Sequence, residues 1–145
     1  MGIDIRTASA LDTKAIAILY WQDMLTEDRV VSIGQHISQF PAFVAEIGNQ
    51  IIGFAYTEQI APDVLELENL YVHETHRNRG IGSLLLNAVE VAAEGRYVAI
   101  ELFNSDLYDN PVKGKRPATS FYLKRGYELI LDTGNTRQFL KRLKS

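Results

Sequence analysis

Arg77, Gly80 and Gly82 stand directly ahead of an apolar run in the stretch "ETHRNRGIGSLLL" (residues 74–86), just after the strand-like "VLELENLYV". A helix start leaves its first amide hydrogens unpaired and carries a partial positive charge, so a glycine-rich lead into a helix can hold anionic oxygens. Glycine lets a ligand approach the backbone closely, and arginine adds charge-assisted donors. Two nucleotide motifs fail here. Leu85 occupies the place of the third glycine in the dinucleotide fingerprint, and the Gly-Lys-Ser/Thr of the phosphate loop is absent. A tight strand-to-helix turn would use the same two glycines, and these residues alone leave that choice open.

Other reactive side chains narrow the chemistry. The 145 residues include no cysteine, which excludes disulfides, thiolate metal sites and an acyl-cysteine intermediate. His73 and His76 in "HETH" lie in a loop without the spacing of the metalloprotease helix motif, so no metal site is expected. Glu66 and Glu68 share a strand face by the period of two, and Glu101 lies on a later apolar strand.

These residues need a scaffold. A hydrophobic fraction of 46% and a net charge of −3 read as one soluble domain spanning residues 1–145. The charge argues against nucleic acid, which needs a basic face. No apolar run reaches the roughly 18 residues of a membrane span, and the amino terminus lacks a secretion pattern, so a cytoplasmic location and no membrane partner are expected.

Along the chain, "IDIRTAS" alternates as a strand, and Ser9 with Asp12 forms a capping-box-like start to a helix carrying Ile16, Leu19, Tyr20 and Met24. Thr26 caps a weaker helix carrying Ile33, Ile37 and Phe40, with Gly34 inside it. "FVAEI" and "QIIGFAYTEQ" flank the turn "GN" as a hairpin, with a bulge expected at Gly53. "VLELENLYV" is the next strand. Ile81, Leu84, Leu85, Ala88, Val89 and Ala92 recur at helical spacing, and Gly95 ends that helix. "YVAIELF" reads as a buried strand, Asn104 to Arg116 as a polar loop, "ATSFYLKR" as a short helix closed by Gly126, and "YELIL" and "RQFLKRL" as the last strands.

The pair "LENLYVHETHRNRGIGSLLL" and "SFYLKRGYELI" resembles the GCN5-related N-acetyltransferase (GNAT) superfamily, whose Arg/Gln-x-x-Gly-x-Gly/Ala signature is matched by Arg77, Gly80 and Gly82. The element order agrees along nearly the whole chain. The resemblance implies an α/β (α+β) fold: a twisted, mostly antiparallel sheet of six to seven strands, splayed in the middle and flanked by about four helices. It implies acetyl-coenzyme A as co-substrate, its pyrophosphate on the backbone of Arg77, Asn78, Arg79, Gly80, Ile81, Gly82 and Ser83. Leu70, Tyr71 and Val72 would pair with the pantetheine arm, and Asn104 would bond it. The insert "SDLYDNPVKGKRP" departs from the family pattern, which makes Asn110 a rival to Asn104 and offers Lys113, Lys115 and Arg116 to phosphates.

The chemistry expected is direct acetyl transfer to a primary amine, on a small molecule or a peptide. An alkylamine near pKa 10.4 is protonated at pH 7, so freeing its nucleophilic form costs roughly 4 to 5 kcal/mol, and a nearby base helps. By resemblance Glu68 is the first candidate base and Glu101 the second, with Glu66 third, while Tyr122 donates a proton to the leaving thiolate. Trp21, Tyr20, Phe40, Phe43 and Tyr71 are candidates to line the acceptor pocket, although their size equally suits a core. Glu66, Glu68, Glu101 and Asp106 hint at a cationic acceptor. A non-catalytic acyl-coenzyme A sensor and a protein amino-terminal or lysine acetyltransferase are the alternatives, and a homodimer is compatible with either.

Overall fold

The computed structural model describes residues 2–105 and 118–144. Seven strands alternate with four α-helices: β1 (Asp4–Thr7), α1 (Thr13–Trp21), α2 (Glu27–Gln39), β2 (Ala42–Ile47), β3 (Gln50–Ala61), β4 (Val64–Val72), α3 (Ile81–Ala93), β5 (Ala99–Ser105), α4 (Thr119–Leu123), β6 (Glu128–Asp132) and β7 (Thr136–Arg142). The strands form one sheet in the order β1-β2-β3-β4-β5-β7-β6, antiparallel throughout except for β4 and β5. This is the open, mostly antiparallel seven-stranded sheet with four helices that the resemblance implies. Among the described residues no helix is long and apolar enough to cross a membrane.

Local chemistry explains most boundaries. Ser9 and Asp12 form the capping box, and Arg6 donates to both Asp12 oxygens at 2.8 and 2.9 Å while also reaching Glu46 on β2. Thr26 caps α2 by accepting from the Arg29 amide at 3.4 Å. Gly34 is tolerated within α2 because it faces α1: a Cβ there would lie 3.4 Å from the Thr13 methyl. The first helix is shorter than the periodicity predicts. It stops at Trp21, since Gln22 turns to φ 54°, and Met24 falls in a separate 3-10 turn. Phe40 likewise lies just past α2, in extended conformation.

Two cores sandwich the sheet. Ile81, Leu85, Leu86, Val89 and Ala93 of α3 pack on one face with Leu65, Leu67, Ile100, Leu102 and Phe139. Each such side chain contributes roughly 1.5–3 kcal/mol when fully buried. Ile16, Ala17, Tyr20, Ile33 and Ile37 of α1 and α2 cover the other face over Val44, Phe54, Tyr56 and Tyr71.

Two irregularities shape the centre. In the hairpin, Ala45 pairs with Gly53 but Glu46 with Ile51, so the bulge falls on Ile52 beside the expected Gly53. Gly53 has its own reason to be glycine: a Cβ there would stand 3.0 Å from the Tyr71 carbonyl and 3.3 Å from Leu85. In β4, Asn69 pairs with Tyr56 and Leu67 with Thr57, which leaves Glu68 as an extra residue without a partner in β3. A bulge shifts the alternation by one. Leu65 and Leu67 therefore share the α3 face with Leu70 and Val72, while Tyr71 turns to the opposite core.

The splay follows from register. β4 and β5 pair in parallel only through Val64–Ala99, Leu65–Ile100 and Glu66–Glu101. Beyond that point β4 runs on to Val72 and β5 to Ser105 without pairing with each other.

Candidate active site

A cleft of about 740 Å³ opens where β4 and β5 part, and the Arg77–Ser83 loop closes one end of it. Its wall from β4 includes Glu68, Asn69, Leu70, Tyr71 and Val72, and its wall from β5 includes Leu102, Phe103 and Asn104. Because β4 lacks a strand partner here, the peptide groups on its β5-facing edge are available to a ligand.

The loop is built as an amide cradle. Asn78 and Gly80 adopt left-handed φ of 64° and 78°, and Gly80 begins α3 without any side-chain cap. The first intrahelical bond runs from Leu84 N–H to the Gly80 carbonyl at 3.1 Å, so the amides of Ile81, Gly82 and Ser83 point free from the helix start. Consecutive amides arranged in this way favour an anion. Arg77 anchors the loop by donating from Nε to the Val72 carbonyl at 2.9 Å. Arg77, Asn78, Gly80, Ile81, Gly82 and Ser83 all line the cleft, whereas Arg79 is exposed at the loop tip and does not.

Helix α4 closes the far side. Its Phe121 ring lies 3.5 Å from where a Cβ on Gly82 would be, so the loop and α4 meet closely. Arg125 stacks its guanidinium 3.8 Å over that ring, and donates to the Phe121 carbonyl at 2.8 Å and to Ser83 Oγ. The sequence reading missed Arg125, although its place four residues after Phe121 in "SFYLKRGY" is the helical spacing that brings the two together. His76 lines the cleft where His73 does not; both histidines bond the Thr75 hydroxyl, at 2.8 and 2.7 Å.

Tyr122 lies between Phe121, Tyr127 and Phe139, with ring centroids 5.1, 5.6 and 5.4 Å away, and forms part of the cleft wall. Its hydroxyl makes no hydrogen bond among the described residues. Burial pushes this phenol well above its ordinary range, so it stays protonated at neutral pH.

The carboxylates gather on the α1/α2 side of the sheet. Glu66 sits beside Glu101 in the last β4–β5 pair and beside Glu58 of β3 in the antiparallel register. Glu101 is 3% exposed; its Oε2 accepts from Gln138 Nε2 at 3.1 Å, and its Oε1 is buried and, the neighbouring Glu66 carboxyl apart, has no donor among the described residues. Glu66 is pushed from 4.5 up to about 10 by burial first, then by hydrogen bonding to Glu68 and Glu101. It keeps its proton at neutral pH. Glu68 projects from the bulge into the cleft, within 4.8 Å of His36 and Glu58 ligand atoms on its other side.

So Glu66, third on sequence grounds, is the link between the other two. Strand pairing explains the miss, since neither Glu58 nor His36 is near Glu68 in the chain. Tyr20, Trp21, Phe40 and Phe43 do not line the cleft. Tyr20 belongs to the α1/α2 core and Phe43 packs against the α3 core, which leaves Tyr71 as the aromatic of that set in the wall. Asp106, Asn110, Lys113, Lys115 and Arg116 lie outside the described residues.

A raised carboxyl makes the fold pH-dependent with a definite sign. The folded chain keeps the Glu66 proton where an unfolded chain has lost it, so its contribution is full below about pH 4.5 and drains away as pH climbs towards 10. Glu66→Gln supplies a neutral side chain at every pH. After discounting for partial exposure and coupling, it should be more stable than wild type by about 1 kcal/mol near pH 9, or roughly 3 °C in Tm, with no gain near pH 4. Thermal melts across that range check the sign; a constant offset at all pH values would show that the proton is not held there.

Comparison with known proteins places this arrangement. Residues 38–129 match the family described as "Acetyltransferase (GNAT) domain". A search of curated proteins finds no match. Among solved structures, Ard1 from Thermoplasma volcanium superposes with a TM-score of 0.78 at 18% identity, over 100% of both chains. The PaiA N-acetyltransferase from Thermoplasma acidophilum, in complex with coenzyme A, gives 0.68 at 22% identity over 98% of this chain and 99% of its own. N-acetylglutamate synthase from Neisseria gonorrhoeae, complexed with coenzyme A and N-acetyl-glutamate, gives 0.75 at 18% identity over 100% of this chain and 36% of its own.

Proposed function

The chain belongs to the GNAT acetyltransferase domain family, and on that premise we propose that it is an acetyl-coenzyme A-dependent N-acetyltransferase that acetylates a primary amine by direct attack in a ternary complex. The observation that carries this reading is one cleft lined by the amide cradle, a tyrosine whose hydroxyl has no hydrogen bond among the described residues, and an exposed carboxylate. Two of the solved structures that share the fold hold coenzyme A, which supports the same ligand here.

The residues present suit that co-substrate. The amides of residues 77–83, with Arg77 and Arg125 beside them, would take the pyrophosphate, and the unpaired edge of β4 at Leu70, Tyr71 and Val72 would meet the pantetheine amides. Asn104 of β5 reaches the same space from the opposite wall. Acetyl-coenzyme A supplies the thioester whose carbonyl carbon is attacked.

The chain's own groups handle the protons. Glu68, directly or through water, takes the proton that the amine nitrogen gives up as its bond to carbon forms. The carbon–sulfur bond breaks, and Tyr122 gives its hydroxyl proton to the departing thiolate. An amide on the β4 edge stabilises negative charge at the carbonyl oxygen. Glu101 is too buried to meet the amine directly and stands beside Glu66 in the last β4–β5 pair.

The test is thiol release from acetyl-coenzyme A in the presence of a panel of small amines and of peptides with free amino termini or lysines. With no cysteine, the protein adds no thiol background. Amine-dependent release on the order of 1–10 per second is expected for a good acceptor. Coenzyme A binding without release on any amine would identify an acyl-coenzyme A sensor instead.

A further inference from the structure

Resting on the acetyltransferase reading, we propose that Arg125 is a positioning residue, a strut through which the coenzyme's seat at the start of α3 sets the place of Tyr122 on α4. Its guanidinium touches both ends of that path. One nitrogen donates to Ser83 Oγ at the amide cradle, the other donates to the Phe121 carbonyl at 2.8 Å, and the central carbon lies 3.8 Å from the Phe121 ring centroid. Ser83, Phe121, Tyr122 and Arg125 all line the cleft.

Helix α4 needs such a tie. It spans five residues and starts without a side-chain cap, far short of the roughly 12–15 residues at which an isolated helix becomes even marginal. At its other end the Arg125 amide bonds the Tyr122 carbonyl at 3.0 Å, and the Phe121 carbonyl takes the Arg125 guanidinium instead. The same side chain therefore completes the helix end and fastens it to the loop.

Tyr122 is placed by that backbone. Its hydroxyl makes no hydrogen bond among the described residues, so its aim is set by ring packing on Tyr127 and Phe139 and by the course of α4. Phe121, the residue before it, is the one Arg125 holds. Misplacing a reacting group by about 1 Å can cost on the order of a hundredfold in rate, so a loosened α4 is felt at the departing thiolate. Arginine is required for its shape: the donors form a rigid planar fork that reaches two elements at once and stacks on a ring. Lysine keeps the charge and loses the fork.

The test is Arg125→Lys, with Ser83→Ala removing the loop end of the same strut at no change in charge. Each should lower kcat about tenfold and raise KM for acetyl-coenzyme A less than about threefold. In a Tyr122→Phe background Arg125→Lys should cost less than about twofold, because the group it positions is gone. Equal losses in both backgrounds, or a loss confined to KM, overturns the proposal. Thermal melts establish that each variant is folded, and Ser83→Ala carries the test should Arg125→Lys not be.

Hydrogen exchange reads the strut without turnover. Saturating coenzyme A should slow exchange of the α4 amides together with those of the Arg77–Ser83 loop; in Arg125→Lys the loop should keep this protection and α4 should lose it. No effect of coenzyme A on α4 in the unaltered chain overturns the proposal. The expected exchange pattern without thiol release from any amine would remove the acetyltransferase reading and leave the strut, whereas acetylation with equal losses in both backgrounds would do the reverse.

Discussion

Glu68→Gln is expected to lower kcat about a hundredfold near pH 7, the scale on which a positioned general base contributes. The substitution keeps the shape and hydrogen-bonding reach of a side chain set in the cleft wall by the β4 bulge, and removes only its ability to take a proton. KM for acetyl-coenzyme A should change little, since the amide cradle and the β4 edge are untouched. The defect should narrow as pH rises, because more of the free amine then arrives already deprotonated. A steady-state pH profile of kcat and kcat/KM decides the matter. If the variant follows the wild-type profile without loss, the base lies elsewhere, with Glu101 reached through water as the next place to look.

Tyr122→Phe is expected to cost about ten- to a hundredfold in kcat while leaving folding nearly unchanged. Its ring contacts with Phe121, Tyr127 and Phe139 survive in phenylalanine, and its hydroxyl has no hydrogen bond among the described residues to lose. A merely structural tyrosine would show the opposite: a shift in Tm with turnover retained. Acceptors of low basicity should suffer as much as strongly basic ones, because the proton in question goes to sulfur. Turnover unchanged across pH would exclude the donor role.

Glu66 and Glu68 act through different observables, which keeps these effects separable. Glu66→Gln is read by the pH dependence of stability, and Glu68→Gln by the pH dependence of turnover. Both rest on one physical condition: carboxyl groups gather without an arginine or lysine partner among the described residues, and burial together with its carboxyl neighbours raises Glu66.

Local signals carried far in this chain. The capping box at Ser9, the Thr26 cap, the "GN" hairpin and the glycines at 80, 95 and 126 each mark a turn or terminus whose conformation is decided within a few residues. Those signals give the element order, and with it the junction where Arg77, Gly80 and Gly82 become an amide cradle. Periodicity failed where a single residue broke it. Gln22 ends α1 early, and the extra Glu68 turns the second half of β4 over, so that a strict period of two misassigns the faces beyond it.

What the sequence by itself determined is the cradle and the scaffold order, because amide direction at a glycine-led helix start and the amphipathic pattern of α3 are encoded locally. Only the tertiary structure decided the acidic group that gathers behind Glu68 and the place of Tyr122. Glu58, Glu66 and Glu101 come level through strand order and register, His36 through the packing of α2 on the sheet, and Tyr122 through the docking of α4 on Phe139. Register is a property of paired strands, and the cost of enclosing a carboxyl depends on which strand becomes its neighbour; neither quantity exists until the sheet has closed around it.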